Sequence, residues 1–334
     1  MAKCARVGVW GVGRIGSIHA MNLRNSEKAE LIAVADPIRR LARAASRRFH
    51  VRSYDNPHQM LRNEILDAVV IATPTSLHAE HVDFACEAGV AALLEKPIAL
   101  TRKEAERIVS TVRRSGVKFM IGFNRRFDPG FRNVKERIVK GVIGRPLLVK
   151  TCARDPQPPP EEYIQHSGGI FVDECIHDFD VALWLMNTRV QRVSAVGKVL
   201  MYPQFAKYDD YDNAVAFLEF RGGGLGIIEG SRVSTYGYDL RTEILGSHGA
   251  LRIENWKNDS TELWSRHKPG VRGPYPWFLE RFAEAYRSEI RSFSDYVMKG
   301  EKSPVSADEG RAALEVAIAS RESAKKRMAV LVRE

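Results

Sequence analysis

The chain has 334 residues, 44% of them hydrophobic and 28% charged, with a formal net charge of +10 and a pI near 9.5. That length predicts two domains, because a single core rarely grows beyond about 250–300 residues. The apolar runs are far short of the roughly 20 residues a membrane span needs, and no signal-peptide apolar region follows Met1. Cys4, Cys86, Cys152 and Cys175 are too scattered for a disulfide framework or a CxxC site. The expectation is a cytoplasmic protein with reduced thiols and no membrane partner. The basic residues are spread along the chain, as at 39–40, 47–48, 113–114 and 325–327, without a recognition-helix or aromatic RNA motif. They predict solvated helix faces and a small anionic ligand, not nucleic acid.

In chain order, Arg6-Val7-Gly8-Val9-Trp10 reads as a strand and runs into Gly11-Val12-Gly13-Arg14-Ile15-Gly16, after which residues 17–23 continue as a helix. This is GxGxxG in the context it requires, a strand before and a helix after. Gly11 permits the tight turn, Gly13 lets the backbone approach a pyrophosphate, and Gly16 lets helix and strand pack closely. The helix N-terminus offers its free N–H groups to the anion. The next apolar run, Leu31-Ile32-Ala33-Val34-Ala35, ends in Asp36, 20 positions beyond Gly16. A carboxylate there accepts hydrogen bonds from the adenosine ribose hydroxyls and repels a 2′-phosphate, which predicts NAD over NADP; Arg39 and Arg40 are the residues that argue the other way.

Helix and strand then alternate: helix over 37–49, strand 66–72, helix 76–88, strand 91–95, helix 101–115 opened by the capping box Thr101-x-x-Glu104, and strand 117–123. The pattern predicts a doubly wound parallel sheet, a Rossmann domain over residues 1–124. Ligands of such sheets bind at the carboxyl ends of the strands, here Thr73-Pro74-Thr75, Glu95-Lys96-Pro97 and Asn124-Arg125-Arg126. Lys96 is thereby expected in the cofactor crevice.

From residue 125 the texture changes. A helix of about 15 residues from Phe127 precedes strand-like runs at 147–153, 190–200, 213–220, 225–231, 241–245 and 250–254. Strands in succession without intervening helices predict an α+β domain over 125–334 with a large, open, mainly antiparallel sheet. Two amphipathic helices follow, 280–298 and 307–327, the second expected to pack back on the first domain. The sheet has more surface than these helices can cover, so its open face is expected to meet another subunit.

Between the first two of those strands lie the proline run 155–160, suited to walling a pocket, and the stretch Ser167-Gly168-Gly169-Ile-Phe-Val-Asp173-Glu-Cys-Ile-His177-Asp-Phe-Asp180-Val-Ala-Leu-Trp184. It reads as a paired-glycine turn followed by one helix, on which Asp173, His177, Asp180 and Trp184 share a face. Burying two carboxylates and an imidazole costs several kcal/mol unless they are partnered, so they satisfy one another or meet a polar ligand. Alone, the pattern reads as a core histidine behind a capping Asp173; a metal site is a third reading, without HExxH or a cysteine partner to support it.

Taken together these motifs resemble the glucose–fructose oxidoreductase/inositol dehydrogenase (Gfo/Idh/MocA) family along nearly the whole chain. The matching segments are 11–16, Ala72-Thr-Pro-Thr-Ser-Leu-His78, Glu95-Lys-Pro97, Gly122-Phe-Asn-Arg-Arg-Phe-Asp128 and 168–180; Arg154-Asp-Pro-Gln-Pro-Pro-Pro160 and Tyr236-Gly-Tyr-Asp239 resemble its inositol 2-dehydrogenases. Thr75 departs from the asparagine of many relatives. The resemblance implies NAD-dependent oxidation of a secondary hydroxyl of a cyclic polyol, myo-inositol foremost, with scyllo-inositol, glucose or another sugar as alternatives, and a homotetramer. It also implies Lys96, Asp173 and His177 as the catalytic set. An imidazole suits the proton transfer and a fixed cation suits a developing alkoxide. Expected cofactor contacts are Gly11, Gly13, Arg14, Ile15, Gly16, Asp36, Thr73, Pro74, Thr75, His78 and Glu95; Arg126, Asp155 and Tyr236 are expected at substrate hydroxyls, and no metal is expected. The reading of another class is a non-catalytic dinucleotide-sensing regulator, which loss of Lys96 or His177 would have favoured.

Overall fold

The computed structural model describes residues 4–254, 275–300 and 302–333. The chain forms two compact units, Met1–Phe127 with Glu284–Arg311, and Asp128–Ala283 with Ala312–Glu334.

The first unit is built on six strands, β1 (Ala5–Trp10), β2 (Ala29–Ala35), β3 (Arg52–Tyr54), β4 (Ala68–Ile71), β5 (Ala91–Glu95) and β6 (Phe119–Gly122), in the order β3-β2-β1-β4-β5-β6. Every pairing is parallel. Runs such as Ala68-Val69-Val70-Ile71 are 0% exposed, because helices cover both faces of a parallel sheet. Chain order reverses between β1 and β4, which makes a switch point beside the glycine turn. The helix Arg102–Ser115 begins as its capping box predicts, Thr101 Oγ1 accepting from the Glu104 N–H at 3.3 Å, and ends on Gly116 at φ +66°. A short strand and a helix, Arg52–Tyr54 and Pro57–Asn63, occupy a stretch whose sequence carries no clear period.

Residues 284–311 complete this unit across a long sequence separation. The Lys118 ammonium donates to Val297 O at 2.6 Å, Ser303 Oγ to Phe119 O at 2.8 Å, and the Ile121 N–H to Val305 O at 3.0 Å. A Cβ added at Gly310 would lie 2.9 Å from Ile121 Cγ1, so the start of helix Ala307–Lys326 lies tight on β6.

The second unit is a seven-stranded mixed sheet of β7 (Pro146–Arg154), β8 (Val190–Lys198), β9 (Asn213–Phe220), β10 (Leu225–Ser231), β11 (Asp239–Gly246), β12 (Ala250–Ile253) and β13 (Val330–Leu331). Its order is β12-β11-β7-β10-β9-β8-β13, antiparallel throughout except for β7 beside β10. The helix expected from Phe127 starts at Pro129 and ends at Val139, because Asp128 accepts from the Gly130 and Phe131 N–H groups and so sets its first turn.

One face of this sheet is buried under helix Ile176–Met186, with Val149, Ala153, Ala216, Leu218 and Ile228 at most 2% exposed. Alternate residues point the other way. Register places Val196, Val215 and Glu229 in one row of that second face, and Phe217 and Ile227 in the next. There Val196, Phe217 and Leu225 are 58%, 54% and 53% exposed. All four cysteines are free thiols, and no described helix is long and apolar enough to cross a membrane.

Candidate active site

On the first unit the glycine turn has the geometry that its spacing predicts. Gly11 has φ +82°, and a Cβ there would meet Ala72 O at 2.6 Å; one at Gly16 would meet Gly11 O at 1.8 Å. A Cβ on Gly13 would meet nothing within 4 Å, so the turn presents bare backbone to open space at the position where a pyrophosphate approaches. Helix Arg14–Arg24 then starts with no side-chain cap and no acidic residue in its first turn, which leaves its N–H groups and dipole for an anion; Arg14 is exposed and Ile15 half-buried. Asp36 is only 6% exposed and is fixed by two backbone donors, Val12 N–H at 2.9 Å and Ile38 N–H at 2.8 Å. A bare turn, an open helix end and an oriented carboxylate at the end of β2 fit a dinucleotide.

The ends of β4 and β5 are tied by His78. Its Nδ1 lies 2.9 Å from Pro97 O and its Nε2 3.1 Å from Thr73 O, and complete burial lowers its pKa against the pull of these carbonyls. Thr73 Oγ1 in turn meets His81 Nδ1 at 2.9 Å, and burial, with His78 and His58 nearby, pushes His81 down to about 4. Pro74 and Thr75 form the turn that these contacts hold. Glu95 ends β5, with Oε1 2.6 Å from His19 Nε2 and Oε2 accepting the Lys96 N–H at 3.2 Å; Lys96 is half-buried.

On the second unit the expected single helix is interrupted. Ile170–Asp173 forms one short turn of helix, Glu174 and Cys175 break it, and Ile176–Met186 continues with His177 in its first turn. Three local features account for the break. Gly169, at φ +85°, starts the first turn, with Asp210 filling the space where its Cβ would be, and Asp210 Oδ1 accepts the Ile170 N–H at 2.8 Å. Arg232 draws Asp173 and Glu174 to the same side, and Gly230 lets Cys175 pack within the reach of a Cβ.

Arg232 organises this region, and sequence reasoning passed over it. Its side chain is 1% exposed and pairs with three carboxylates: Nη2 with Asp173 at 3.1 Å, Nε with Glu174 at 3.1 Å and Nη1 with Asp210 at 3.2 Å. Its guanidinium also lies over the Phe205 ring at 5.1 Å. The Tyr163 hydroxyl donates to Asp173 Oδ1 at 2.7 Å, so each oxygen of Asp173 has a fixed partner. Burial and the charges of Asp155 and Asp173 push Glu174 well above the usual carboxylate range despite Arg232, and burial raises Asp210 as well. The cluster thus holds Asp173 rigidly while its neighbours retain protons more readily than free carboxylates.

The three residues expected at substrate hydroxyls are placed differently. Asp155 is half-buried near Glu174, its backbone bonded to Ser231 O at 2.8 Å and to the Ser234 N–H at 2.9 Å. The Tyr236 hydroxyl accepts from Arg154 at 2.7 Å and donates to Asp239 at 2.8 Å; burial and Asp239 push it up to about 12. Arg126, in the first unit, is 7% exposed and pairs with Glu309 at 2.5 Å. Burial would raise Glu309, but the Arg126 charge and the Ser306 N–H override it and hold it below its ordinary value.

Comparison with known proteins adds to this geometry. Residues 5–123 match the model of an oxidoreductase family's NAD-binding Rossmann fold, GFO_IDH_MocA, and residues 135–332 match that family's C-terminal alpha/beta domain. The chain is 37% identical over 331 residues to myo-inositol 2-dehydrogenase of Thermotoga maritima, covering 98% of this chain and 99% of that one. It is 38% identical over 333 residues to scyllo-inositol 2-dehydrogenase (NAD(+)) of Bacillus subtilis, covering 99% and 97%. The crystal structure of scyllo-inositol dehydrogenase from Lactobacillus casei with bound NAD(H) and scyllo-inositol superposes with a TM-score of 0.91 at 29% identity, covering 99% of each chain.

Proposed function

The chain belongs to the Gfo/Idh/MocA oxidoreductase family, and from that premise we propose that it oxidises a secondary hydroxyl of a cyclic polyol, myo-inositol to its 2-ketone, with NAD. Bound at the 11–16 turn, NAD+ supplies the acceptor for the hydride that leaves the carbinol carbon. His177 takes the hydroxyl proton, so the products are ketone, NADH and a proton on the imidazole. Asp173, held by Tyr163 and Arg232, presents a fixed carboxylate to a substrate hydroxyl or to the imidazolium that forms. Lys96 stabilises the developing alkoxide as a cation. Asp155, Arg126 and Tyr236 are the proposed contacts for the remaining hydroxyls, and Asp36 selects NAD by refusing a 2′-phosphate.

The observation that carries this reading is the clamp on Asp173. A surface carboxylate has no need of a buried arginine, whereas one that must keep its orientation beside a reacting hydroxyl does. NAD reduction followed spectrophotometrically across the inositol isomers and aldoses tests it. Turnover of myo-inositol well above the others supports the assignment, and turnover of none rejects it.

Assembly and location belong to the same reading. The second face of the β7–β13 sheet exposes Val196, Phe217 and Leu225 on three neighbouring strands, and we infer that a second copy covers it within a tetramer. We infer a cytoplasmic location, which the four free thiols support.

A further inference from the structure

Beside Lys96, inside the first unit, lies a buried group of three ionisable side chains, of which only Glu95 has been given a role so far, as an expected cofactor contact. His19 is 0% exposed, Glu95 8% and Glu289 0%. One ligand-type atom from each lies within 4.8 Å of the others. His19 comes from helix Arg14–Arg24, Glu95 from the end of β5 and Glu289 from helix Ala283–Lys299, nearly two hundred positions away in sequence. The His19 Nε2 to Glu95 Oε1 contact is 2.6 Å, and Glu95 Oε2 accepts the Lys96 N–H at 3.2 Å. Tyr286, on the same helix as Glu289, sets its ring edge-on to His19 at 5.7 Å. Both Glu289 oxygens are buried and, among the described residues, without a hydrogen-bond partner. Among the described residues, no lysine or arginine pairs with either glutamate there.

Two carboxylates so close, with one imidazole beside them and no other cation among the described residues, cannot both be charged in an apolar site. Either a proton or a metal ion makes up the difference. Two donors bound to one metal at about 2.0–2.1 Å in tetrahedral geometry stand roughly 3.3 Å apart. The 2.6 Å contact is instead that of a direct hydrogen bond between His19 and Glu95. We propose that Glu289 is held as the neutral acid beside the His19–Glu95 pair, and that this keeps Glu95, and through its bond the Lys96 main chain, in position. Burial and the Glu95 charge both raise the Glu289 pKa, in agreement with that geometry. Ionising Glu289 would set a second charge against Glu95 and loosen the pair. The proposal rests on the role given above to Lys96.

The test uses the full-length protein and Glu289→Gln, a neutral isostere, with Glu289→Ala as the second variant. Expected for wild type is an infrared carbonyl stretch of a protonated carboxyl that Glu289→Gln lacks. A raised folded pKa gives stability that is complete below the unfolded pKa and is lost as pH rises through the folded value. Wild type should therefore lose up to about tenfold in folding equilibrium constant per pH unit across that window, relative to Glu289→Gln. Glu289→Gln should keep kcat within a few-fold, whereas Glu289→Ala should lower it by ~10–10²-fold through misplacement of Lys96. Absence of the infrared band, equal pH slopes, or a zinc-dependent, chelator-reversible rise in wild-type Tm that Glu289→Gln lacks would overturn the proposal. Lys96→Ala separates the two claims. Full activity there would overturn the role of Lys96 and the positioning with it, while a crippled Lys96→Ala beside a fully active Glu289→Ala overturns the positioning alone.

Discussion

Arg232 Nη2 stands 3.1 Å from Asp173 Oδ2 with 1% of its side chain exposed, so the carboxylate proposed for substrate contact is oriented by a cation that solvent does not reach. The same guanidinium serves Glu174 and Asp210, and its removal leaves three carboxylates without their common partner. Arg232→Met should therefore cost about 3–5 kcal/mol of stability. Arg232→Lys keeps the charge but not the three-way fork, so it should fold with a smaller loss while kcat/KM falls about tenfold or more. Thermal melts and steady-state kinetics on both variants check this; a fully active Arg232→Lys would show that orientation of Asp173 does not depend on the clamp.

A pH dependence follows from Asp212, whose C=O accepts the Arg232 N–H at 2.8 Å and so helps to seat the clamp. Its side chain accepts from the Leu200, Met201 and Tyr202 N–H groups at 2.7–2.8 Å. Burial alone would raise its pKa, but these bonds win and hold it below the usual value. A depressed folded pKa contributes stability above the unfolded pKa of about 3.9, lost as pH falls through the folded value. Asp212→Asn should accordingly be destabilised at pH 7, with the gap to wild type closing below about pH 4. Urea unfolding at both pH values measures it; a gap that does not change with pH would contradict the assignment.

Cofactor choice is testable at Asp36. Wild type should have a higher kcat/KM with NAD than with NADP, and Asp36→Ser should narrow that ratio by removing the charge that meets a 2′-phosphate. Because Asp36 also accepts from the Val12 and Ile38 N–H groups, the variant should lose about 1–2 kcal/mol of stability as well. A wild type that prefers NADP would point to Arg39 or Arg40 instead.

Assembly is testable at Phe217, 54% exposed on the second face of the sheet. Phe217→Glu should shift sedimentation at micromolar concentration toward smaller species while leaving the unit folded. A wild type that is monomeric at that concentration would remove the basis for the tetramer.

Much of this architecture is legible in the residues, for a physical reason. The glycine turn, the Asp36 strand end and the alternating strands of the second unit are local patterns, and 213–220 and 225–231 coincide with β9 and β10. Where several distant residues act together, local pattern is silent. A continuous helix through Asp173 and His177 satisfies the 3.6-residue period, yet Arg232 and Asp210, well downstream in sequence, break it at Glu174. Arg232 follows Gly230-Ser231 at the end of a strand and carries no motif of its own; the acidic Asp209-Asp210-Tyr211-Asp212 run was the available sign that a buried cation was needed. Glu289 sits on an ordinary amphipathic helix, and only the return of 284–311 to the first unit brings it to His19.

Whether His177 takes the substrate proton is decided by His177→Ala, with kcat, NAD affinity and Tm measured on the same sample. kcat should fall by ~10²–10⁴-fold with NAD affinity nearly intact, since the dinucleotide is held by the 11–16 turn and Asp36. A variant that loses thermal stability while its folded fraction stays fully active would make His177 a core residue and not the base.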